Sequence, residues 1–198
     1  MSTQAPDPFT TLLDLNSGSL DPERKVVERR HSDMADMYLE EYADGTVDTV
    51  IYSVHEIPVP TTNSNLMSST TVIQPGKVGQ EYYMTKGHFH NIRDRAEIYI
   101  GLSGEGCLVM ATEDGQYTVE TIRRGTINYV PGGWAHRSVN VGDEPLVFFA
   151  VYPGDAGYDY GTIEEEGFPV LVVAGEVGPE IVPNPRYKGA AATTSEAG

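Results

Sequence analysis

The chain has a single cysteine, Cys107. No intramolecular disulfide can form, and the scarcity fits a reducing compartment. Long apolar runs are also missing: nothing approaches the roughly eighteen residues that a membrane-spanning helix requires. The opening stretch, Met1 to Pro8, has no basic region followed by an apolar segment, so no secretory signal is visible. Basic residues are few, 13 Lys and Arg against 29 Asp and Glu, for a formal charge of −16. A chain this acidic repels a nucleic-acid backbone or an anionic membrane, and the charge itself reads as solubility. It leaves a small phosphorylated ligand open, because a few local donors and a metal outweigh the global field at short range. These scarcities lead us to expect a cytoplasmic protein with neither nucleic acid nor membrane as partner.

A chain of 198 residues is long enough for one domain with a substantial core. We expect a loose segment over 1–20, a single domain over 21–187 and a disordered tail over 188–198. Asp21-Pro22-Glu23 reads as a helix start, for a short helix ending near Arg30 or His31. Met37–Tyr42, Asp44-Gly45 and Val47–Val54 read as a hairpin. Further strand patterns fall at 69–73, 81–85, 96–102, 107–112, 117–122, 126–130, 135–140, 146–152 and 170–174. Turn signals such as Pro75-Gly76, Glu113-Asp114-Gly115 and Pro131-Gly132-Gly133 separate them. Many short strands at near-regular spacing predict an all-β sandwich or barrel, with the short N-terminal helix and peripheral strands outside it.

His88-Phe89-His90 is the first element that carries chemistry. On a strand, residues two apart face one side, so both imidazoles can reach one point. Glu97 lies in the pattern Ala96-Glu97-Ile98-Tyr99-Ile100, sharing a face with Tyr99 and Gly101. A carboxylate in such a strand needs a partner. His136 follows Pro131-Gly132-Gly133-Trp134-Ala135. Histidines 88, 90 and 136 with Glu97 suit a first-row transition metal. The spacing of Gly125, Pro131, Gly133, His136 and Asn140 matches the second cupin motif. His88, His90, Glu97 and Gly104 resemble the first, with a longer gap before the glutamate and Tyr82 where the generic motif has glycine. The fold implied is the cupin double-stranded β-helix, a jelly-roll barrel.

Longer runs narrow the resemblance. Gln80-Glu81-Tyr82-Tyr83-Met84-Thr85-Lys86-Gly87-His88-Phe89-His90, Asp94-Arg95-Ala96-Glu97-Ile98-Tyr99 and Tyr152-Pro153-Gly154-Asp155-Ala156-Gly157-Tyr158-Asp159-Tyr160-Gly161 are similar to the cupin-type glucose-6-phosphate isomerases. The likeness extends over roughly residues 30–187. It implies a homodimer that interconverts glucose 6-phosphate and fructose 6-phosphate with one divalent metal ion per subunit. Iron(II) is the ion implied, with zinc, manganese or nickel as alternatives. The family's ligands fall on His88, His90, Glu97 and His136, and its catalytic residues on Glu97, His136 and Tyr152. Its phosphate-side contacts fall on Tyr52, Thr71, Thr85 and Gly87, and its sugar-side aromatics on Tyr99, Tyr152 and Tyr160. Members often carry histidine where this chain has Tyr158. A tyrosine hydrogen-bonds there, but it titrates near pH ~10 rather than ~6.5.

Aldose–ketose isomerisation moves a proton between adjacent carbons and needs a base, a stabiliser of the enediolate and a donor. Glu97 is the base expected, and a hydride shift is the competing route. Lys86, Arg93 and Arg95 read as solvated surface, Trp134 as packing, and Cys107 as a small buried residue without activation. His31 and His55 have no companion motif. A metal-dependent dioxygenase and a non-catalytic sugar-phosphate binder are the rival functions on the same barrel.

Overall fold

The computed structural model describes residues 7–22, 25–42, 45, 47–62 and 65–194. The chain begins with β1 (Leu12–Leu13), β2 (Leu20–Asp21) and β3 (Lys25–Arg30), then a one-turn helix α1 (His31–Met34). There follow β4 (Val50–Ile57), β5 (Leu66–Ile73), β6 (Lys77–Val78), β7 (Glu81–Tyr82), β8 (Glu97–Ser103) and β9 (Glu105–Thr112). The barrel continues through β10 (Gln116–Arg123), β11 (Ile127–Val130), β12 (Trp134–Asn140) and β13 (Leu146–Pro153). Helix α2 (Gly161–Glu166), β14 (Val170–Ala174), β15 (Pro179–Pro183) and β16 (Thr193–Thr194) end it.

Six antiparallel strands in the order β11-β8-β13-β5-β4-β3 form the larger sheet, and β12-β9-β10-β16 form the second. A third sheet, β15-β14-β7-β6, flanks them. The expected all-β jelly-roll is therefore what the strands build. Their alternation explains it. In β8, Glu97, Tyr99 and Gly101 are buried while Ile98 is exposed, and Phe148 and Ala150 of β13 are buried on the same interior. Leu108, Ile122, Val130 and Leu146 are wholly enclosed, and such close-packed apolar burial is the main favourable term in folding.

The N-terminal part differs from expectation. Residues 25–30 are a strand and not the predicted helix. β3 pairs residue by residue with β4, Val26 opposite His55 and Val27 opposite Val54, and this ladder with its β-branched valines overrides the helix-start signal. The helix begins at His31, where Asp33 Oδ2 accepts the Arg30 amide at 2.8 Å. The predicted hairpin over 37–54 does not form either. Tyr38 is 2% exposed, and its neighbours find side-chain partners in place of a ladder. Leu39 N donates to Glu81 Oε2 at 2.6 Å, and Arg186 donates to the carbonyls of Tyr38 and Leu39. Asp44 of the expected turn lies outside the described residues. Within the segment expected to be loose, β1 and β2 pair, and in the expected tail Thr193 and Thr194 pair with β10.

Candidate metal centre and its cavity

His88 and His90 lie on the extended segment after β7, which runs along β12. His88 N donates to His136 O at 3.2 Å, and His136 N donates back to His88 O at 3.0 Å. Phe89 packs into the core on the other side, so the two imidazoles turn to one point. Glu97 enters from β8 and His136 from β12. The donor atoms of His88, His90, Glu97 and His136 all lie within 4.8 Å of one another.

The hydrogen bonds behind these side chains fix which atoms face inward. His90 Nδ1 lies 2.8 Å from the Arg95 carbonyl and His136 Nδ1 lies 3.3 Å from the Trp134 carbonyl. A carbonyl only accepts, so each Nδ1 carries the proton and each Nε2 turns a lone pair inward. His88 Nε2 and His136 Nε2 are buried without a hydrogen-bond partner. Glu97 Oε2 stands 3.0 Å from His136 Nε2, off the line of a hydrogen bond, and 3.2 Å from His90 Nε2. Acceptors converging in a buried space require a positive charge among them.

The electrostatics agree. Burial alone would raise the Glu97 carboxyl, but contacts with His136 and His90 outweigh it and hold it at about 2. Burial opposes charge on His90 too, yet the Glu97 carboxylate beside it outweighs burial and favours positive charge at this ring. Burial, reinforced by His136, holds His88 well below the usual histidine range, neutral and able to ligate. The residues fit a divalent ion.

His88, Glu97 and His136 stand in the wall of a cavity of about 280 Å³, and His90 completes the cluster beside them. The structure brings every other predicted site residue to the same cavity: Tyr52, Thr71, Thr85, Gly87, Tyr99, Tyr152, Tyr158 and Tyr160 all line it. Tyr52 and Thr71 come from neighbouring strands β4 and β5, whose registers turn alternate side chains inward. Gly87 has φ of 74°, and a Cβ there would sit 2.6 Å from the Phe168 ring. Only glycine fits this backbone approach. Lys25, Arg29, Glu56 and Ser69 also line the cavity and were not singled out from the sequence. The expected helix concealed the inward face of β3.

Comparison with known proteins identifies the family. Residues 28–181 match the family model described as glucose-6-phosphate isomerase. The chain belongs to that family. The glucose-6-phosphate isomerase of Pyrococcus horikoshii is 45% identical over 188 residues, covering 92% of this chain and 98% of that one. That of Pyrococcus furiosus is 44% identical with the same coverage. The Sinorhizobium medicae isomerase is 37% identical, over 81% of this chain and 78% of its own length. Among solved structures, a mutant of Bacillus subtilis oxalate decarboxylase aligns with a TM-score of 0.43 and 24% identity, over 57% of this chain and 28% of that chain.

In this member of the isomerase family, Tyr158 bonds to Tyr152, hydroxyl to hydroxyl, at 2.6 Å. Burial pushes Tyr158 up to about 12, and raises Tyr52, Tyr99, Tyr152 and Tyr160 as well. All are neutral hydrogen-bonding phenols near pH ~7. The loop that carries Tyr158 and Tyr160 is tied down by cations read as free surface. Arg93 reaches Asp159 at 2.7 Å and Glu113 at 2.9 Å, and Arg95 reaches Asp155 at 2.9 Å. Lys86 pairs with Glu164 at 3.3 Å. Cys107 is a partly buried thiol, raised by burial, in keeping with a packing role.

Proposed function

We propose that this protein is a metal-dependent glucose-6-phosphate isomerase that interconverts glucose 6-phosphate and fructose 6-phosphate by proton transfer through a cis-enediolate. The observation that carries the reading is the convergence of His88, His90, Glu97 and His136, three of them in the wall of a hydroxyl-lined cavity. Iron(II), one per subunit, is the ion assigned. When bound, a divalent ion acts as a Lewis acid that disperses negative charge on the substrate oxygens.

The chain's own groups divide the remaining work. Both histidine approaches to Glu97 fall on Oε2, and Oε1 is the atom we assign to the travelling proton. A carboxyl held at about 2 is ionised at neutral pH and holds that proton weakly. Close placement against the substrate must offset its low basicity. Tyr152, held by Tyr158, and Tyr99, stacked on Phe148 at 4.6 Å, orient the sugar hydroxyls. Tyr52, Thr71, Thr85 and the Gly87 backbone face the phosphate. Residues 21–187 are proposed as the catalytic domain of a cytoplasmic homodimer. Ile98, Ile127 and Tyr129 are 39%, 71% and 60% exposed on adjoining strands, an apolar patch that a second copy would cover. Sedimentation velocity reads that state.

Isomerisation in deuterated water tests the chemistry. Proton transfer predicts deuterium at C2 of recovered glucose 6-phosphate. Complete retention of the original hydrogen, together with an active metal-loaded Glu97→Gln variant, would contradict it.

A further inference from the structure

β3 turns Lys25, Val27 and Arg29 into the cavity at alternate positions. Opposite them across the β3–β4 ladder stand Glu56, Val54 and Tyr52, which line it as well. The two cations differ in what they already hold. Lys25 Nζ lies 2.8 Å from Glu56 Oε2 and is neutralised. Among the described residues, the Arg29 guanidinium donates only to the Glu28 carbonyl, at 3.1 Å, and meets no carboxylate. Arg29 stands opposite Tyr52 across the ladder and shares the cavity wall with Tyr160. The other carboxylate of the wall, Glu97, is committed to the histidines.

Tyr52, Thr71 and Thr85 supply neutral hydroxyls, which hydrogen-bond a phosphate without balancing its charge. A dianion drawn into a chain of formal charge −16 gains most from a partly buried guanidinium, whose fork matches phosphate oxygens. We propose that Arg29 is the cationic anchor of the substrate phosphate and sets the site's preference for phosphorylated over free sugars. The proposal rests on the isomerase reading for its substrate.

The test compares wild type with Arg29→Ala and Arg29→Lys as metal-loaded holoenzymes, with Arg29→Gln where the alanine variant does not fold. Binding of sorbitol 6-phosphate, which cannot isomerise, is titrated beside that of sorbitol. Loss of one charge-assisted contact predicts a roughly ten- to hundredfold weaker affinity for sorbitol 6-phosphate in Arg29→Ala. Sorbitol affinity should stay within about twofold, KM for glucose 6-phosphate should rise with kcat little changed, and lysine should recover part of the loss. An unchanged affinity for sorbitol 6-phosphate, or an equal loss for both probes, overturns the anchor. Wild-type protein that binds sorbitol 6-phosphate through Arg29 but does not interconvert the sugars breaks the isomerase reading and leaves the anchor standing.

Discussion

A carboxylate enclosed to 5% exposure, as Glu97 is, is tolerable only with positive charge beside it. Glu97→Gln keeps the shape and removes the charge. We expect the variant to bind iron(II) at least about tenfold more weakly and to lose activity in proportion, measured by equilibrium dialysis beside the assay. Full occupancy with full activity would remove Glu97 from both roles. The clustering of these four side chains was legible in the sequence because their spacing leaves a local signature. His88 and His90 sit two apart around an inward-packed Phe89, and the Gly125-to-Asn140 spacing fixes the turn that delivers His136. Arg29 left no such mark. Its inward aim depends on pairing with Tyr52 across the ladder, a contact 23 positions away that no local spacing encodes.

At the scale of elements, the loop between β13 and α2 is held by Arg93 and Arg95. Asp159 also accepts from the Thr162 hydroxyl at 2.9 Å at the start of α2, so one carboxylate joins two tethers. The Arg93 contact holds the Asp159 carboxyl below the usual aspartate range. Such a group contributes stability that is present above its unfolded pKa and lost as pH falls through its lower folded value. Asp159→Asn should therefore melt below wild type near neutrality and raise KM by loosening Tyr158 and Tyr160. The melting-temperature gap should close as pH falls below about 4. A gap that is independent of pH would show that charge on Asp159 does not hold the loop. The central strands were legible because burial alternates along β8 and β13. The N-terminal elements were not, because Asp21-Pro22-Glu23 carries a local helix signal while the ladder to β4 decides the outcome. β15 was missed as well, an edge strand that begins and ends in proline.

For the molecule as a whole, the barrel lets one cavity draw on strands far apart in sequence. β3, β4 and β5 line one part of it, β8, β12 and the segment beside β12 bring the His and Glu cluster, and the loop after β13 adds Tyr158 and Tyr160. A chain of formal charge −16 encloses a cluster of buried acceptors that could hold a metal ion, and the proposed chemistry depends on that ion. The decisive measurement is a coupled assay of glucose 6-phosphate and fructose 6-phosphate interconversion, run anaerobically on chelator-stripped protein and again after iron(II) is restored. The account predicts negligible conversion in the stripped protein and conversion in both directions once the ion is returned. Equal rates with and without metal, or no conversion in either state, would contradict it.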